Sequence, residues 1–198
     1  MIKNNKGFSM VELLAMIIIT SVIIFPLMHS LVKNVEINER LHLRQSATSI
    51  ASTSLYGVEK LDYTLLYGLV NAANIADNYY IELNADNCNS LIAGSTDEAL
   101  CVQIFNLVSS NFTAGSDEYR VFIYNFNLPQ TYYDELTDPL NTSIPLEVKN
   151  EISLLTPSLL LNPTPNTLLR VTVWIKYFNE PPYYVVLSGL IFDEENLK

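Results

Sequence analysis

The sequence is poor in the residues that build the commonest catalytic and metal sites. It has two histidines, His29 and His42, and none from residue 61 onward. The later part of the chain therefore cannot hold a Ser-His or Cys-His nucleophile pair or a His-ligated zinc. With only six glycines, the chain also has no glycine-rich phosphate-binding loop. We therefore expect that the protein is not an enzyme and that it binds neither a cofactor nor a metal.

Basic residues are scarce as well: the chain has 11 Lys or Arg against 21 Asp or Glu, for a net charge of −10. Residues 1–60 carry six basic and four acidic side chains, whereas residues 61–198 carry five and seventeen. The acidic surface lies in the later part, where it repels phosphate backbones. Direct nucleic-acid binding is therefore not expected.

Cysteine is limited to Cys88 and Cys101, which are separated by twelve residues. In a reducing cytosol the two residues would be free thiols, whereas in an oxidising compartment they could form a disulfide. A closed loop of this size would contribute roughly 3 kcal/mol in the chain-entropy model. The even number of cysteines is compatible with both states.

What the chain does have is a long apolar run near its N-terminus, from Phe8 to Met28. Five residues interrupt these 21 positions: Ser9, Glu12, Thr20, Ser21 and Pro26. As a helix the run would be about 30 Å long, the thickness of a hydrocarbon core. Lys3 and Lys6 precede it, so the positive-inside rule predicts a cytoplasmic N-terminus and an outward-facing remainder.

Two ordinary interpretations of this run leave residues unexplained. A secretory signal peptide needs a small-residue cleavage site, and residues 25–30, FPLMHS, offer none. A plain single-pass anchor explains the length but not Glu12. An ionisable group costs about 2.5–3.5 kcal/mol at the centre of a membrane helix, less near the interface, and by default suggests a functional pairing.

A third interpretation accounts for the whole stretch KGFSMVELL, residues 6–14. It resembles the processing site of type IV prepilins and of the pseudopilins of type II secretion and competence systems. In that family a prepilin peptidase cuts after the glycine that ends a short basic leader, and the new amino terminus is N-methylated. The resemblance implies cleavage between Gly7 and Phe8, methylation of Phe8, and a role in assembly for Glu12.

Physical chemistry supplies a reason for the carboxylate. Cleavage would expose the α-amine of Phe8, and a buried carboxylate needs a positive partner. Glu12 lies four residues from Phe8, on the same helix face. In a filament, Glu12 could instead meet the Phe8 amine of a neighbouring subunit, which would fix the register of the packed helices.

The helical pattern continues to about residue 60. A stripe at spacings of three and four consists of Leu43, Ala47, Ile50, Ala51, Ser54 and Val58. The small-residue run SATSIASTS, residues 46–54, is either an exposed polar face or a close approach of the helix to a sheet; we favour the approach. Together with the apolar run it predicts one helix of about fifty residues, far above the usual length.

Beyond residue 60 the pattern becomes mixed. Residues 61–78 are helix-like, 84–90 are loop by composition, and 100–108 are ambiguous between helix and strand. Six prolines predict that residues 127–167 form one long connection without central strands. Strands are predicted at 79–83, 119–126, 168–178 and 183–192, the last two as a hairpin around residues 179–182. Along residues 168–178, Val171, Val173, Ile175 and Tyr177 share one side of the strand, and Arg170, Thr172, Trp174 and Lys176 share the other.

Two clusters of oxygen-bearing side chains could in principle bind calcium. They are Asp134, Glu135 and Asp138, and Asn84, Asp86 and Asn87. Neither has the spacing, glycine and distal glutamate of an EF-hand loop. We therefore expect a solvated acidic surface at both places.

The sequence thus predicts an α+β protein with a pilin-like layout. Residues 1–7 form a cleaved leader, 8–60 a helix that is half transmembrane and half amphipathic, and 61–198 an outward-facing head with an antiparallel sheet. The expected function is a structural subunit of a type IV pilus or of a secretion or competence pseudopilus. The expected partners are a prepilin peptidase, other pilin subunits and the membrane. The alternative is a surface adhesin or tip module whose head binds a ligand, suggested by the proline-rich segment and twelve tyrosines.

Overall fold

The computed structural model describes residues 9–75, 79–92, 100–101, 104–105, 118–155, 168–179 and 182–192. The chain divides into two compact units, Met1–Leu43 and Arg44–Lys198. The elements in chain order are α1 (Met10–Val58), α2 (Tyr63–Ile75), β1 (Ile81–Leu83), α3 (Cys88–Leu91), β2 (Tyr119–Asn125), α4 (Gln130–Thr137), α5 (Leu146–Ser153), β3 (Leu168–Asn179) and β4 (Pro182–Phe192).

Helix α1 is 49 residues long and begins as a strongly apolar segment. One 18-residue window has a mean hydropathy of 2.5 with none of its surface buried, so length and composition allow it to cross a membrane. Within this apolar segment two hydroxyl side chains donate to carbonyls of their own helix: Thr20 Oγ1 to the Met16 carbonyl at 2.6 Å and Ser21 Oγ to the Ile18 carbonyl at 2.8 Å. Pro26 lies inside the helix and removes one backbone donor.

The later part of α1 belongs to the second unit and has a narrow buried face. Ala47, Ala51, Ser54 and Val58 are fully buried. These small side chains allow a close approach to the sheet: a Cβ added to Gly189 of β4 would lie 3.0 Å from Leu55 Cδ1. The predicted stripe and the predicted close approach are both confirmed.

The four strands form one antiparallel sheet in the order β1-β2-β3-β4. Val173 of β3 pairs with Val121 of β2 and with Leu187 of β4, so β3 lies in the middle of a fully antiparallel arrangement. The predicted C-terminal hairpin is confirmed, with an irregularity between Lys176 and Phe178. The α+β class, with a long apolar helix and an antiparallel sheet, is as expected.

The sheet separates two hydrophobic cores. Alternate residues of β2 and β3, including Val121, Ile123, Val171 and Val173, belong to the core that contains Ala47 and Ala51 of α1. The opposite face carries Phe122, Tyr124 and Trp174, which pack with residues of α4 and α5. The side of β3 that holds Thr172 and Trp174 is thus buried too.

Two local predictions were wrong. The proline-rich segment 127–167 is not one irregular connection, because it contains α4 and α5. Pro129 and Pro145 occupy the N-cap positions of these helices, with φ of −55° and −58°, where a missing N–H costs nothing. The predicted loop 84–90 is wrong in its last three residues, which belong to the short helix α3 (Cys88–Leu91). Residues 156–167 lie outside the described residues.

Candidate functional site at the start of helix α1

Helix α1 begins with reciprocal hydrogen bonds between Ser9 and Glu12. The backbone N–H of Ser9 donates to Glu12 Oε2 at 3.0 Å, and the backbone N–H of Glu12 donates to Ser9 Oγ at 3.3 Å. Met10 is the first helical residue, so Ser9 is the N-cap and Glu12 is the third helical position. This is a capping box, in which two of the helix's unpaired N–H groups are satisfied by side chains.

The capping box gives Glu12 a structural role at the start of the helix. Its carboxylate is held at the first turn by a backbone donor, where the helix dipole also favours a negative charge. It therefore has a hydrogen-bond partner even without a cation. The signal S-x-x-E was present at residues 9–12, but the sequence interpretation assigned these residues only to processing and assembly.

The cleavage site itself lies outside the described residues, which begin at Ser9. The roles expected for Gly7 and Phe8, and the pairing of Glu12 with an amine, stay predictions. What the structure adds is the position of Glu12 at the very beginning of the helix.

After Glu12 the helix carries no charged side chain until Lys33. The large apolar side chains of this stretch are exposed by half or more of their surface: Leu13 is 56% exposed, Ile24 50% and Phe25 81%. A contiguous apolar surface of this extent needs a lipid or protein cover. Lipid and other helices of the same kind both meet that need.

Cys88 and Cys101 form a disulfide with a Cα–Cα distance of 5.8 Å. Both residues are 1% exposed and belong to the core that contains the buried face of α1. The bond links Cys88, the first residue of α3, to Cys101, which lies 13 positions later in the sequence. Its position is that of a structural cross-link and not of an accessible thiol pair.

In the two clusters of oxygen-bearing side chains, several oxygen atoms already accept hydrogen bonds from neighbouring residues. Asn84 Oδ1 accepts from the N–H groups of Asp86 and Asn87, and Asn87 Oδ1 accepts from the N–H of Asn84. Asp134 accepts from the Gln130 amide at 2.7 Å. Within the described residues, no three His, Cys, Asp or Glu side chains come together as a candidate metal centre.

The two histidines, His29 and His42, both lie on α1, and neither belongs to a candidate metal centre among the described residues.

Comparison of the chain with protein-family models, with curated proteins and with solved structures gives no match.

Proposed function

We propose that the chain is a prepilin-like structural subunit that is processed at Gly7-Phe8 and assembled through helix α1 into a pilus or pseudopilus. The observation that carries this proposal is the start of α1. There the acidic Glu12 is held at the first helical turn of an exposed segment that has no further charge for twenty residues. The capping box by itself would serve any helix start, but processing and assembly also account for the basic leader, Gly7 and Phe8 that precede it in KGFSMVELL.

The capping box suggests how processing and assembly are coupled. Cleavage before Phe8 creates a positive α-amine one residue before Ser9, whose N–H already contacts the Glu12 carboxylate. Oε2 of the carboxylate thus accepts a hydrogen bond from its own helix, and among residues 9–75 no hydrogen bond to Oε1 competes with a cation. An amine from the same chain or from a neighbouring subunit would complete a charge-assisted pair that does not exist before cleavage.

The rest of the chain fits this function. Apolar side chains from residue 13 to residue 32 suit a membrane before assembly and a bundle of identical helices after it. Residues 61–198 are acidic, and their described parts form an α+β fold with a disulfide, which supports an oxidising location outside the cytoplasmic membrane. The expected orientation is N-terminus inside and head outside.

Mass spectrometry of the chain purified from its native membrane tests the proposal. The expected product begins at Phe8 and carries one N-methyl group. A matched variant, Gly7→Leu, should accumulate uncut in the membrane, because a bulky residue blocks the position next to the scissile bond. Wild-type protein that still begins at Met1 in cells with an active prepilin peptidase would overturn the proposal.

A further inference from the structure

The second unit contains a polar cavity of about 360 Å³ beside helix α4. Five of its seven lining side chains are polar: Tyr80, Glu135, Asp138, Asn141 and Ser143. They come from the residue before β1, from the end of α4 and from the connection between α4 and α5. No role in membrane insertion or filament assembly is assigned to any of them, so the cavity needs an explanation of its own.

Two positively charged side chains, those of Lys149 and Arg120, hold the backbone at the rim of this cavity. Lys149, which is only 6% exposed, donates from Nζ to the carbonyl of Asp138 at 2.7 Å and also to the carbonyl of Asn141. Arg120 donates to the Ser143 carbonyl at 3.2 Å while its guanidinium lies 5.2 Å from the Trp174 ring. The connection is thus attached to α5 and to the sheet at three carbonyls.

Side chains of the rim are ordered by further local bonds. Asp138 Oδ1 accepts from the Leu140 N–H at 2.8 Å, and Asn141 Oδ1 accepts from the Ser143 N–H at 3.1 Å. These bonds leave the second oxygen of Asp138 and the amide nitrogen of Asn141 without a hydrogen-bond partner among the described residues. The Glu135 carboxylate likewise makes no hydrogen bond or ion pair there. The backbone of the connection is thus held, whereas the Glu135 side chain is exposed and would have to be ordered by a ligand.

One aromatic ring, that of Tyr80, lines the cavity, and further rings lie behind and beside it. The Tyr80 ring packs against Phe122 with centroids 5.9 Å apart, and the neighbouring Tyr79 stacks on Tyr132 at 3.9 Å. Tyr132 precedes Glu135 by three residues on α4, so the two side chains lie on the same side of that helix. The cavity therefore combines carboxylate acceptors and an amide donor that have no partner among the described residues with the face of the Tyr80 ring.

We infer that this cavity binds a neutral, hydroxyl-rich ligand, namely a saccharide. Two carboxylates disfavour an anionic ligand by repulsion and desolvation. Sugar hydroxyls, in contrast, can donate to Glu135 and Asp138 and accept from the Asn141 amide. The apolar face of a sugar ring suits the Tyr80 ring. The inference does not rest on filament assembly, since it concerns only the second unit.

The test uses the full chain in detergent micelles on an array of immobilised neutral and N-acetylated oligosaccharides. Wild type should bind a subset of them, and Glu135→Gln should weaken that binding at least tenfold. Asp134→Asn is the matched control, because Asp134 is the preceding residue on α4, bonds to Gln130 and does not line the cavity. It should bind as wild type does.

Circular dichroism should show that both variants are folded, because residues 134 and 135 are exposed. Three results would overturn the inference. One is no binding to any arrayed saccharide, and another is equal binding by wild type and Glu135→Gln. The third is calorimetric binding of Ca²⁺ alone together with loss of saccharide binding in EDTA, which would make the cavity a cation site. Filament incorporation is read out separately, so failure here leaves the proposed function standing.

Discussion

Ser9 and Glu12 exchange two hydrogen bonds at the first turn of α1, at 3.0 Å and 3.3 Å. The same carboxylate thus has two separable properties, an acceptor that caps the helix and a negative charge. Glutamine at this position keeps the acceptor and removes the charge. Alanine at residue 9 removes the cap's hydroxyl and keeps the charge. The two roles can therefore be tested independently.

We expect Glu12→Gln to insert in the membrane and be cleaved normally, but to enter filaments at least tenfold less than wild type. The reason is that its neutral amide cannot pair with the amine of a processed chain. Ser9→Ala should cost the helix start about 0.5–2 kcal/mol and still assemble. The measurement is the ratio of subunit in sheared filaments to subunit in membranes, by immunoblot. Wild-type incorporation of Glu12→Gln would show that the charge has no role.

The close contact between α1 and the sheet should make Ala47 intolerant of larger side chains. Ala47 is fully buried in the core of the second unit. Ala47→Leu adds three carbons where there is no room, so it should lower the free energy of unfolding by about 1–3 kcal/mol. Urea denaturation in detergent, followed by tryptophan fluorescence, measures this change.

The control for Ala47 is Ser49→Leu, because Ser49 lies two residues away on the exposed side of the same helix. This variant should change the free energy of unfolding by less than about 0.5 kcal/mol. Equal losses for the two variants would mean that helix propensity and detergent effects, and not packing against the sheet, decide stability at these positions.

The sequence predicted those parts of the fold in which local pattern and tertiary structure agree. The stripe that includes Ala47 and Ala51 has helical spacing, and both residues are buried. Alternation along residues 168–178 predicted β3, and the hairpin partner followed from the turn at 179–182. Each of these signals is carried by neighbouring residues, so no distant contact has to be known.

The second core was missed because it depends on distant contacts. Thr172 and Trp174 are on the side of β3 that holds Arg170 and Lys176, yet they are 0% and 5% exposed. Trp174 belongs to the core formed with α4 and α5, two helices that short length and flanking prolines concealed. Thr172 lies on the same side of the strand, bonded to Tyr124 and Ser188 of the neighbouring strands. A proline signals both the end of a regular element and the first turn of a helix. Only the packing of Leu136, Val148 and Ile152 on the sheet distinguishes the two.

The candidate site was predictable in its residues but not in its geometry. Glu12 was singled out from its place in the apolar run, whereas its bond to the Ser9 N–H requires a helix that begins at residue 10. The ends of a helix are harder to predict from sequence than its existence. Here the first helical residue, Met10, determines that the Glu12 carboxylate bonds to the Ser9 N–H.

The disulfide should contribute measurably to the stability of the head. Cys88→Ala/Cys101→Ala should lower the free energy of unfolding by roughly 3 kcal/mol, because the unfolded chain regains the freedom of the closed loop. Wild type treated with a reductant should lose a similar amount. The reductant should not change the double variant, which controls for side effects on the rest of the protein. An unchanged midpoint for reduced wild type in urea would contradict the prediction.

Alkaline pH should destabilise the second unit through buried tyrosines. Burial raises the pKa of the Tyr119 phenol well above its ordinary value, and Tyr119 is only 2% exposed. Burial also raises the pKa of Tyr124, whose hydroxyl lies 3.1 Å from Thr172 Oγ1. Below pH of about 10 these groups are protonated in both states, so the stability is fully present. Above it the unfolded chain releases the protons first, and stability falls as pH rises.

Tyr119→Phe removes one of these titrating groups and should therefore reduce the alkaline loss of stability. The expected reduction is up to about 1.4 kcal/mol per pH unit between pH 10 and 12, the value for one proton. Tyr56→Phe is the control, because Tyr56 is 61% exposed on α1. The measurement is the urea midpoint from pH 8 to pH 12 for both variants and wild type. Parallel curves for Tyr119→Phe and wild type would mean that the Tyr119 phenol ionises as readily in the folded protein as in the unfolded chain. That result would contradict the prediction, which follows from the burial of Tyr119 beside Phe105.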